Sequence, residues 1–533
     1  MLENEIFLDE ECQNQLLGEV ESVFTQSDNK LLEKPITKNE ILECLKKCNQ
    51  NSSPGLDSIS YRVYLECWES LGDLLVELYN EIYQSGVTPK SMKGSLMIFT
   101  PKPGKGKSCL SNDLRRISLL NCDLKLMTKI FTTRLQHMAD HVLSPNQFSS
   151  GSRNITEAIV LARDAISFVK PTQRGAAICD LDFQKAFDFL SVKWTWKVLR
   201  KKNASEKFTA FLENLYSNNF THTLINDIIQ PKIGNKRLAL AQGDGLSCFT
   251  FNFAIDPLLT YIEKRLEGIK IFSLPTQGPS HPKWGKPPEI ELRYKVCGFL
   301  DDLKPGIVKR EEFFMVDDAI RFFEGASGCK LHRDPASQKC KALFLGKWSK
   351  WKKQDIPINY IVPTEHLDYL GVKLGKNNNK TRAINGHYLV SKVKSTVQSF
   401  KSGKFSPLTS RPWSINSFVW SKILYRSSVI DIRKNDIKKM ISDIKSFVYQ
   451  DLLVKPAEQI LFRNHKKGGL GVIHPGAKSE AALIKTFVSL AHPRSSKVNI
   501  YLSYLFLYHI MEEEDLPTPK RAASYNAGFF SVC

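Results

Sequence analysis

Three aspartates lie at the ends of short apolar segments, where a carboxylate needs a partner. Asp182 lies in the apolar run GAAICDLDF at 175–183, and Asp301 and Asp302 separate the segments RYKVCGF and LKPGIVK. A buried carboxylate is costly unless it is paired or binds a cation. Three of them on rigid strands can hold two Mg²⁺ ions, or Mn²⁺ as a substitute, beside a nucleotide's phosphates and an attacking hydroxyl. These residue types therefore predict phosphoryl transfer, although a DD turn alone is also ordinary hairpin chemistry.

The segments around these aspartates predict the elements that must position them. Residues 175–183 read as a buried strand, and a helix is expected from about Lys185 to Lys202. Residues 246–266 are apolar almost all round, which is typical of a buried helix. The segments flanking the LDD turn predict a strand, a tight turn and a strand. This order favours an α+β fold with a ferredoxin-like sheet packed on helices.

Elsewhere the apolar spacing predicts mostly helices. Thr37 and Glu40 predict a capping box, Asp73 an N-cap, and Gly86 with Pro89 a helix end. The stretch SLMIFTPKPGKGK predicts a strand that enters a basic loop. The segment 273–291 is rich in Pro and Gly and predicts an inserted loop. Helices are predicted at 8–25, 38–49, 74–83, 118–142 and 155–169.

Charge is unevenly distributed along the 533 residues. The chain holds 75 Lys and Arg against 55 Asp and Glu, a net charge of +20. Residues 1–90 carry 7 basic and 17 acidic residues, whereas residues 371–470 carry 20 basic and 5 acidic ones. A basic run is often only a solvated helix face. An excess of this size in one segment favours contact with a polyanion, namely nucleic acid.

The cysteines and the apolar segments indicate the cellular compartment of the protein. The 12 cysteines form no CxxC pair or Cys/His cluster, so reduced, buried thiols are expected. The acidic N-terminus has no apolar signal-peptide core, and no run approaches 18 apolar residues. We therefore expect an intracellular protein without a membrane contact.

Ordered motifs in this chain resemble those of reverse transcriptases of the non-LTR (LINE) retrotransposon type. DLDFQKAFD at 180–188, AQGDGLS at 241–247 and GFLDD at 298–302 are similar to the family's palm motifs. The resemblance extends over about residues 37–475. Further matching segments are SSPGLDS at 52–58, NDLRRISLLN at 112–121, QFSSGSRNITEAI at 147–159, ASGCKL at 326–331, HLDYLGVKL at 366–374 and HKKGGLGV at 465–472.

The resemblance implies a site that binds metal and nucleotide. Asp182, Asp301 and Asp302 match the catalytic metal ligands. Phe187 matches an aromatic gate against the ribose 2′-hydroxyl, although a core aromatic at that position is the plain alternative. Arg115 matches a fingers arginine that grips the triphosphate, a task that suits a planar guanidinium.

The resemblance also implies roles for residues around that centre. Gln242 and Gly243 match the pair beside the template and the incoming nucleotide, although QG alone is merely a turn. Lys102 and Lys105 in the basic loop can assist at the phosphates. Lys339 matches a lysine that protonates leaving pyrophosphate. Basic side chains Lys438, Lys439, Lys466 and Lys467 are expected to bind nucleic acid.

Departures from the family's pattern concern both residues and segments. Leu300 replaces the small alanine of the usual FADD turn, and Gly245 replaces the proline of QGDPLS. Neither replacement removes a ligand. We see no endonuclease segment, Cys/His knuckle or RNase H segment, so a polymerase segment or a truncated element copy is expected.

The expected architecture is a right-hand polymerase with fingers, a ferredoxin-like palm and a helical thumb. The expected partners are an RNA template, a DNA primer or nicked DNA target, and dNTPs, and the resemblance implies a nuclear location. The expected divisions are an acidic extension and the start of the fingers at 1–90, fingers at 91–174, palm at 175–361, a primer-grip hairpin at 362–375, a basic thumb at 376–475 and an unassigned tail at 476–533.

Three functions are compatible with these residues. The leading one is an RNA-directed DNA polymerase that extends a primer 3′-hydroxyl. The second is a catalytically weakened remnant that still binds nucleic acid, which Leu300 favours. The third is an RNA-copying RNA polymerase or a group II intron maturase; the bulky Phe187 argues against the former, and we find no maturase-specific segment after the thumb.

Overall fold

The computed structural model describes most of the chain and shows a mixed helix and sheet architecture. Most of the predicted loop 273–291, together with Gln242, Lys105 and the part of the tail after 490, lies outside the described residues. None of the described helices is long and apolar enough to cross a membrane. The described residues are 8–490 without 22, 103–112, 170–173, 232, 235–239, 241–242, 274–290, 402–406 and 451.

The first third of the chain forms helices around a small sheet. Strand β1 pairs antiparallel with β2, and its other edge pairs in parallel with β4, so that segments far apart in sequence share this sheet. The elements are α1 Glu10–Leu17, α2 Gln26–Glu33, α3 Lys38–Lys46, α4 Tyr61–Glu66, α5 Trp68–Ser85, β1 Gly94–Pro101, β2 Leu114–Leu120, α6 Cys122–Val142, α7 Ile155–Phe168 and, completing the sheet, β4 Phe220–Ile225, β5 Ile228–Ile229 and β6 Ile233–Gly234.

A second five-stranded sheet carries the predicted catalytic segments. Its strands run in the order β12-β11-β3-β10-β9, with β3 between β11 and β10. In chain order it reads strand, helices, two hairpin strands, helix and strand, a β-α-β-β-α-β order to which β12 adds a fifth strand. In this part of the chain, β7 and β8 form a separate two-stranded sheet. The elements are β3 Ala176–Asp180, α8 Ala186–Phe189, α9 Val192–Lys201, α10 Glu206–Tyr216, α11 Ser247–Arg265, β7 Ile269–Ser273, β8 Glu291–Tyr294, β9 Val296–Phe299, β10 Asp302–Ile307, α12 Glu312–Ser327, β11 Lys341–Leu345 and β12 Val362–Pro363.

The C-terminal third is a hairpin followed by helices, as expected beyond residue 376. A separate apolar core is built only from residues between Leu389 and Val472. It includes one π-helical turn, Ile415–Val419. The elements are β13 His366–Tyr369, β14 Val372–Gly375, α13 Asn378–Lys401, α14 Arg411–Ser414, α15 Trp420–Ser427, α16 Lys434–Val448, α17 Glu458–Phe462 and α18 Pro475–Leu490.

Several predicted helix boundaries are wrong. The helix predicted at 8–25 contains only α1, because Gly18 ends that helix and Thr25 caps a second helix, α2, which begins at Gln26. Residues 118–120 belong to β2, so that helix begins only at Cys122. The helix predicted from Lys185 to Lys202 breaks between Phe189 and Val192. The hydrophobic pattern marks buried segments but cannot mark where pairing with a distant strand takes over.

Two predicted helix starts also differ in detail. Thr37 accepts from the backbone of Glu40, but the Glu40 carboxylate binds Arg134 instead of closing a capping box. Asp73 lies inside α5, which begins at Trp68, and pairs with Lys38 at 2.9 Å. Gly86, with a φ of 70°, ends that helix as expected.

A buried ion pair anchors α11, the helix that carries Asp256. Lys202 and Asp256 are 0% and 2% exposed, and their Nζ and Oδ2 atoms lie 2.6 Å apart. Lys202 also donates to the carbonyl of Val142, and the backbone N–H of Ser144 donates to Asp256. Three segments of the chain therefore meet at one pair of charges.

Replacing Lys202 by methionine should strongly destabilise the protein. The Asp256 carboxylate would remain buried without its cation, and such a change costs about 3–5 kcal/mol of unfolding free energy. Denaturant titration of Lys202→Met measures this loss. The exposed neighbour Lys201, replaced in the same way, is the control, and equal losses for both variants would contradict the expectation.

Candidate active site

The sheet register brings Asp182 to the Asp301–Asp302 turn. Antiparallel pairs join Ile178 with Gly306 and Leu181 with Leu303. This register continues to place Asp182 opposite Asp302, although 119 positions separate Asp182 from Asp301 in the sequence. Opposite residues of an antiparallel pair have side chains on the same face. The sequence-predicted carboxylates therefore lie at one end of neighbouring strands.

The turn that carries Asp301 is a two-residue hairpin. Asp302 pairs with Phe299, and Leu300 takes a φ of 54°, a conformation that is uncommon outside glycine. The backbone N–H of Leu300 donates to the side-chain oxygen of Gln147 at 3.3 Å, and Gln147 is fully buried. Segment 146–148 also hydrogen-bonds Gly298 of β9, so a segment far upstream supports this turn.

The aspartates at this end of the sheet influence one another. Burial, together with the charges of Asp302 and Asp182, raises the pKa of Asp301 to about 6. Burial also raises the pKa of Asp180, despite the ammonium of Lys304 beside it. The site is therefore an excess of negative charge in a partly buried place, which a cation would stabilise.

The carboxylates are turned toward lysines in this conformation. Lys339 lies 3.3 Å from Asp182, and Lys304 lies 3.6 Å from Asp302. Across the described residues, no three His, Cys, Asp or Glu side chains are arranged to hold a metal ion. Asp182 and Asp302 each lie beside a lysine, so a shared ion would require these two side chains to turn.

Positive groups surround Asp182. The backbone N–H of His332 donates to its carbonyl at 3.0 Å, and the His332 ring nitrogen lies 3.7 Å from its carboxylate. Burial lowers the pKa of His332, and the charges of Lys339 and Lys102 lower it too, against the effect of Asp182. The predicted residues Lys102 and Lys339 are thus brought within electrostatic range of the site.

Two adjacent arginines on β2 differ in their surroundings. Arg115, the predicted phosphate ligand, is exposed on β2. Its neighbour Arg116 points to the other face of the strand, and its guanidinium lies 3.8 Å from Asp188. Arg116 was not predicted as a site residue. Because adjacent residues of a strand face opposite sides, Arg115 and Arg116 lie on different faces of β2.

Phe187 is half-buried shortly after β3. Its ring stacks on Phe251 of α11, with centroids 5.0 Å apart and an interplanar angle of 22°. It packs at the edge of the largest apolar core. The ring is therefore partly a core residue and partly open, so its position fits both interpretations made from the sequence.

A cleft of about 380 Å³ is lined in part by Gly243. The φ of Gly243 is 133°, and a Cβ there would lie 2.6 Å from the carbonyl oxygen of Ser118. Only glycine fits this approach to β2. Its partner Gln242 lies outside the described residues. The cleft is lined by Cys48, Asn49, Ser52, Ser53, Tyr61, Ile117, Ser118, Leu119, Lys125, Lys129 and Gly243.

The C-terminal helices join the hairpin of β13 and β14. The Tyr425 hydroxyl of α15 donates to the carbonyl of Leu370 in the hairpin turn at 2.5 Å. The four lysines predicted to bind nucleic acid are all exposed on this part of the chain: Lys438, Lys439, Lys466 and Lys467.

Comparison with known families matches residues 100–374 to the family described as reverse transcriptase (RNA-dependent DNA polymerase). The match covers half of the chain, and this protein belongs to that family. Similar proteins within the family come from non-LTR retrotransposons, which this chain resembles. Its fold is accordingly that of a right-hand polymerase.

The similar proteins are all much longer than the matched region. The transposon TX1 uncharacterized 149 kDa protein of Xenopus laevis is 29% identical over 248 residues, which cover 46% of this chain and 19% of that protein. The retrovirus-related Pol polyprotein from type-2 retrotransposable element R2DM of Drosophila melanogaster is 26% identical over 226 residues, covering 42% and 20%. The chain thus spans about a fifth of the length of these curated relatives.

Substitution of Phe187 distinguishes a gate from a core residue. Phe187→Val should open space for a ribose 2′-hydroxyl and raise the rNTP/dNTP efficiency ratio, while the aspartates stay in place. If the ring serves only the core, truncation should cost about 2–5 kcal/mol and lower both activities together. Primer extension and melting temperature measured in parallel decide: a lower melting temperature with an unaltered ratio contradicts the gate.

Proposed function

We propose that this protein is an RNA-directed DNA polymerase that adds dNTPs to a primer 3′-hydroxyl on an RNA template. The observation that carries the proposal is the strand register that sets Asp182 opposite Asp302 and beside Asp301. Membership of the reverse transcriptase family supports the same reaction. We assign the catalytic role to these three aspartates.

Divalent metal is part of this proposal. The donor set is carboxylate oxygen, which suits Mg²⁺ or Mn²⁺. Burial and then repulsion from Asp302 and Asp182 raise the pKa of Asp301, and a bound cation would oppose both effects. Asp182, Asp301 and Asp302 would hold two ions after their side chains turn away from Lys339 and Lys304. When bound, the ions supply charge stabilisation for the transferring phosphoryl group.

The chain's own basic residues complete the reaction. The primer hydroxyl attacks the α-phosphorus of the dNTP, the new P–O bond forms, and pyrophosphate leaves. Lys339, 3.3 Å from Asp182, is placed to give a proton to that leaving group. Lys102 and Arg115 in the fingers segment would bind the triphosphate, and Phe187 would exclude a 2′-hydroxyl beside the sugar.

The nucleic acid would follow two surfaces. The cleft at Gly243 offers the ammonium groups of Lys125 and Lys129 and the ring of Tyr61, which suits a single template strand. The exposed lysines of the C-terminal helices would contact the phosphates of the departing template–primer duplex. The DNA partner would be a primer or a nicked target, by resemblance a chromosomal one in the nucleus.

A weakened remnant is the second candidate, and the Leu300 backbone favours it. A branched residue at a φ of 54° beside the aspartates adds strain to the turn. Primer extension on an RNA template with dNTPs, and then with rNTPs, tests both candidates. Binding of the template–primer without extension would replace the polymerase by the remnant.

Replacing Asp182 or Asp301, two of the three family-matched carboxylates, should nearly abolish DNA synthesis. Asp182→Asn and Asp301→Asn should each lower the extension rate about 10³-fold, because metal charge stabilisation is worth several kcal/mol. The exposed Asp318→Asn on α12 is the matched control. Extension that persists in both site variants at unchanged template affinity would contradict the catalytic assignment.

Neutralising the exposed thumb lysines should weaken duplex binding without sequence preference. Replacement of Lys438, Lys439, Lys466 and Lys467 by glutamine should reduce the slope of log affinity against log salt by about 3, since each phosphate contact contributes somewhat less than one. Titrations of two unrelated duplexes at several salt concentrations measure this. The control replaces four exposed lysines elsewhere: Lys30, Lys34, Lys193 and Lys201.

An unchanged slope in the thumb variant would show that these lysines only keep the helices solvated. A slope that falls equally in the control variant would show that the effect follows net charge and not this surface.

A further inference from the structure

A lysine is buried directly beneath the catalytic turn. Lys304 follows Asp302 by two residues on β10 and is 1% exposed. Lysine is almost never fully buried unless its charge is paired. The family resemblance assigns no role to Lys304, although this lysine lies next to the aspartates.

Lys304 has two carboxylates and one aromatic ring around its ammonium. Its Nζ lies 2.5 Å from Oδ1 of Asp180 and 3.6 Å from Oδ1 of Asp302. The ring of Tyr369 on the hairpin strand β13 closes the pocket, with its centroid 4.9 Å from Nζ. Tyr369 is fully buried, so little water reaches this charge.

The strand register fixes the order of these charges. The pairing that sets Asp182 opposite Asp302 also sets Asp180 opposite Lys304, one step deeper in the sheet. Asp180 and Asp182 lie on the same face, as do Asp302 and Lys304, because alternate residues of a strand share a face. The catalytic pair therefore rests on an ion pair built from the same two strands.

In this arrangement, Lys304 and Asp180 have opposite effects on the binding of a cation by the neighbouring aspartates. The Lys304 ammonium repels a metal ion and competes for the Asp302 carboxylate. Asp180 draws the ammonium away from Asp302, since its oxygen is the nearer one. Asp302 is thus held by a weak contact that a metal ion can replace.

We propose that Lys304, restrained by Asp180, is a positioning residue that orients Asp302 and sets how tightly the catalytic carboxylates bind divalent metal. This inference rests on the proposed metal-dependent function and goes beyond it by assigning the affinity to a second pair of residues. Its signature is that neutralising the two partners changes metal affinity with opposite signs.

The test is Mn²⁺ binding to the full chain without nucleotide or nucleic acid, followed by the electron paramagnetic resonance of free Mn²⁺. In Asp180→Asn the ammonium is released toward Asp302, and the affinity should fall about tenfold. In Lys304→Met the repulsion is removed and the affinity should rise about tenfold. The double variant should bind more tightly than Asp180→Asn alone.

The Lys304→Met variant leaves Asp180 buried without a partner and can fail to fold. The comparison of Asp180→Asn with the double variant then decides, because both lack the isolated carboxylate; their melting temperatures establish that they are folded. The exposed pair Asp368 and Lys373, 2.6 Å apart, is the matched control, and Asp368→Asn should leave Mn²⁺ affinity unchanged.

Two results separate the failure of this inference from that of the proposed function. Wild-type Mn²⁺ binding that responds to Asp182→Asn but not to Asp180→Asn overturns the role of Lys304 alone. An affinity lowered equally in Asp180→Asn and in the double variant also overturns it, because the ion pair is then only structural. Binding that does not respond to Asp182→Asn overturns the metal site itself and this inference with it.

Discussion

The antiparallel pairing of β3 with β10 is the constraint on which the candidate site depends. One register fixes the position of Asp182 relative to Asp302 and of Asp180 relative to Lys304. A slip by one residue would turn every side chain to the opposite face of the sheet. The buried neighbours Ile178, Leu181 and Leu303 prevent such a slip, because they would have to exchange places with charged residues.

The lysines near the central sheet and those on the C-terminal helices differ in their burial. Around the sheet, lysines are drawn inward to carboxylates, as with Lys202 and Asp256 and with Lys304 and Asp180. On the C-terminal helices, the lysines are exposed. The buried ion pairs fix the positions of their side chains, since a buried charge tolerates few positions. The exposed lysines leave positive charge available to a polyanion.

Much of the fold could be predicted from the sequence where a local pattern decided it. The helix at 155–168, the apolar helix at 247–265, the hairpin around Asp301 and the helical C-terminal region agree with the expectations. The gathering of the aspartates could be expected from strand ends and from family resemblance. The helix boundaries that were wrongly predicted depend on strands that are distant in the sequence. Residues 118–120 form part of β2 because they pair with β1, 20 or more residues earlier.

The same limit applies to the site. Lys304 and Asp180 stand in the segments LKPGIVK and DLDFQKAFD, and their alternation with apolar residues would have put them on the aspartate face. Their mutual contact could not be predicted, because it requires the register between strands 120 residues apart. Gln147 belongs to a motif that resemblance had singled out, yet its support of the Leu300 turn depends on a hydrogen bond across the fold.

The position of β3 in the sheet also bears on how the protein is made. Both neighbours of β3 come later in the chain: β10 ends at Ile307 and β11 at Leu345. At a synthesis rate of about 5–20 residues per second, this central strand emerges from the ribosome about 10–30 seconds before its second partner exists. Its five residues, AAICD, are apolar except for the last, and an unpaired apolar strand can pair with another chain. Nascent chains of this protein therefore pass through an interval in which chaperone capture competes with aggregation.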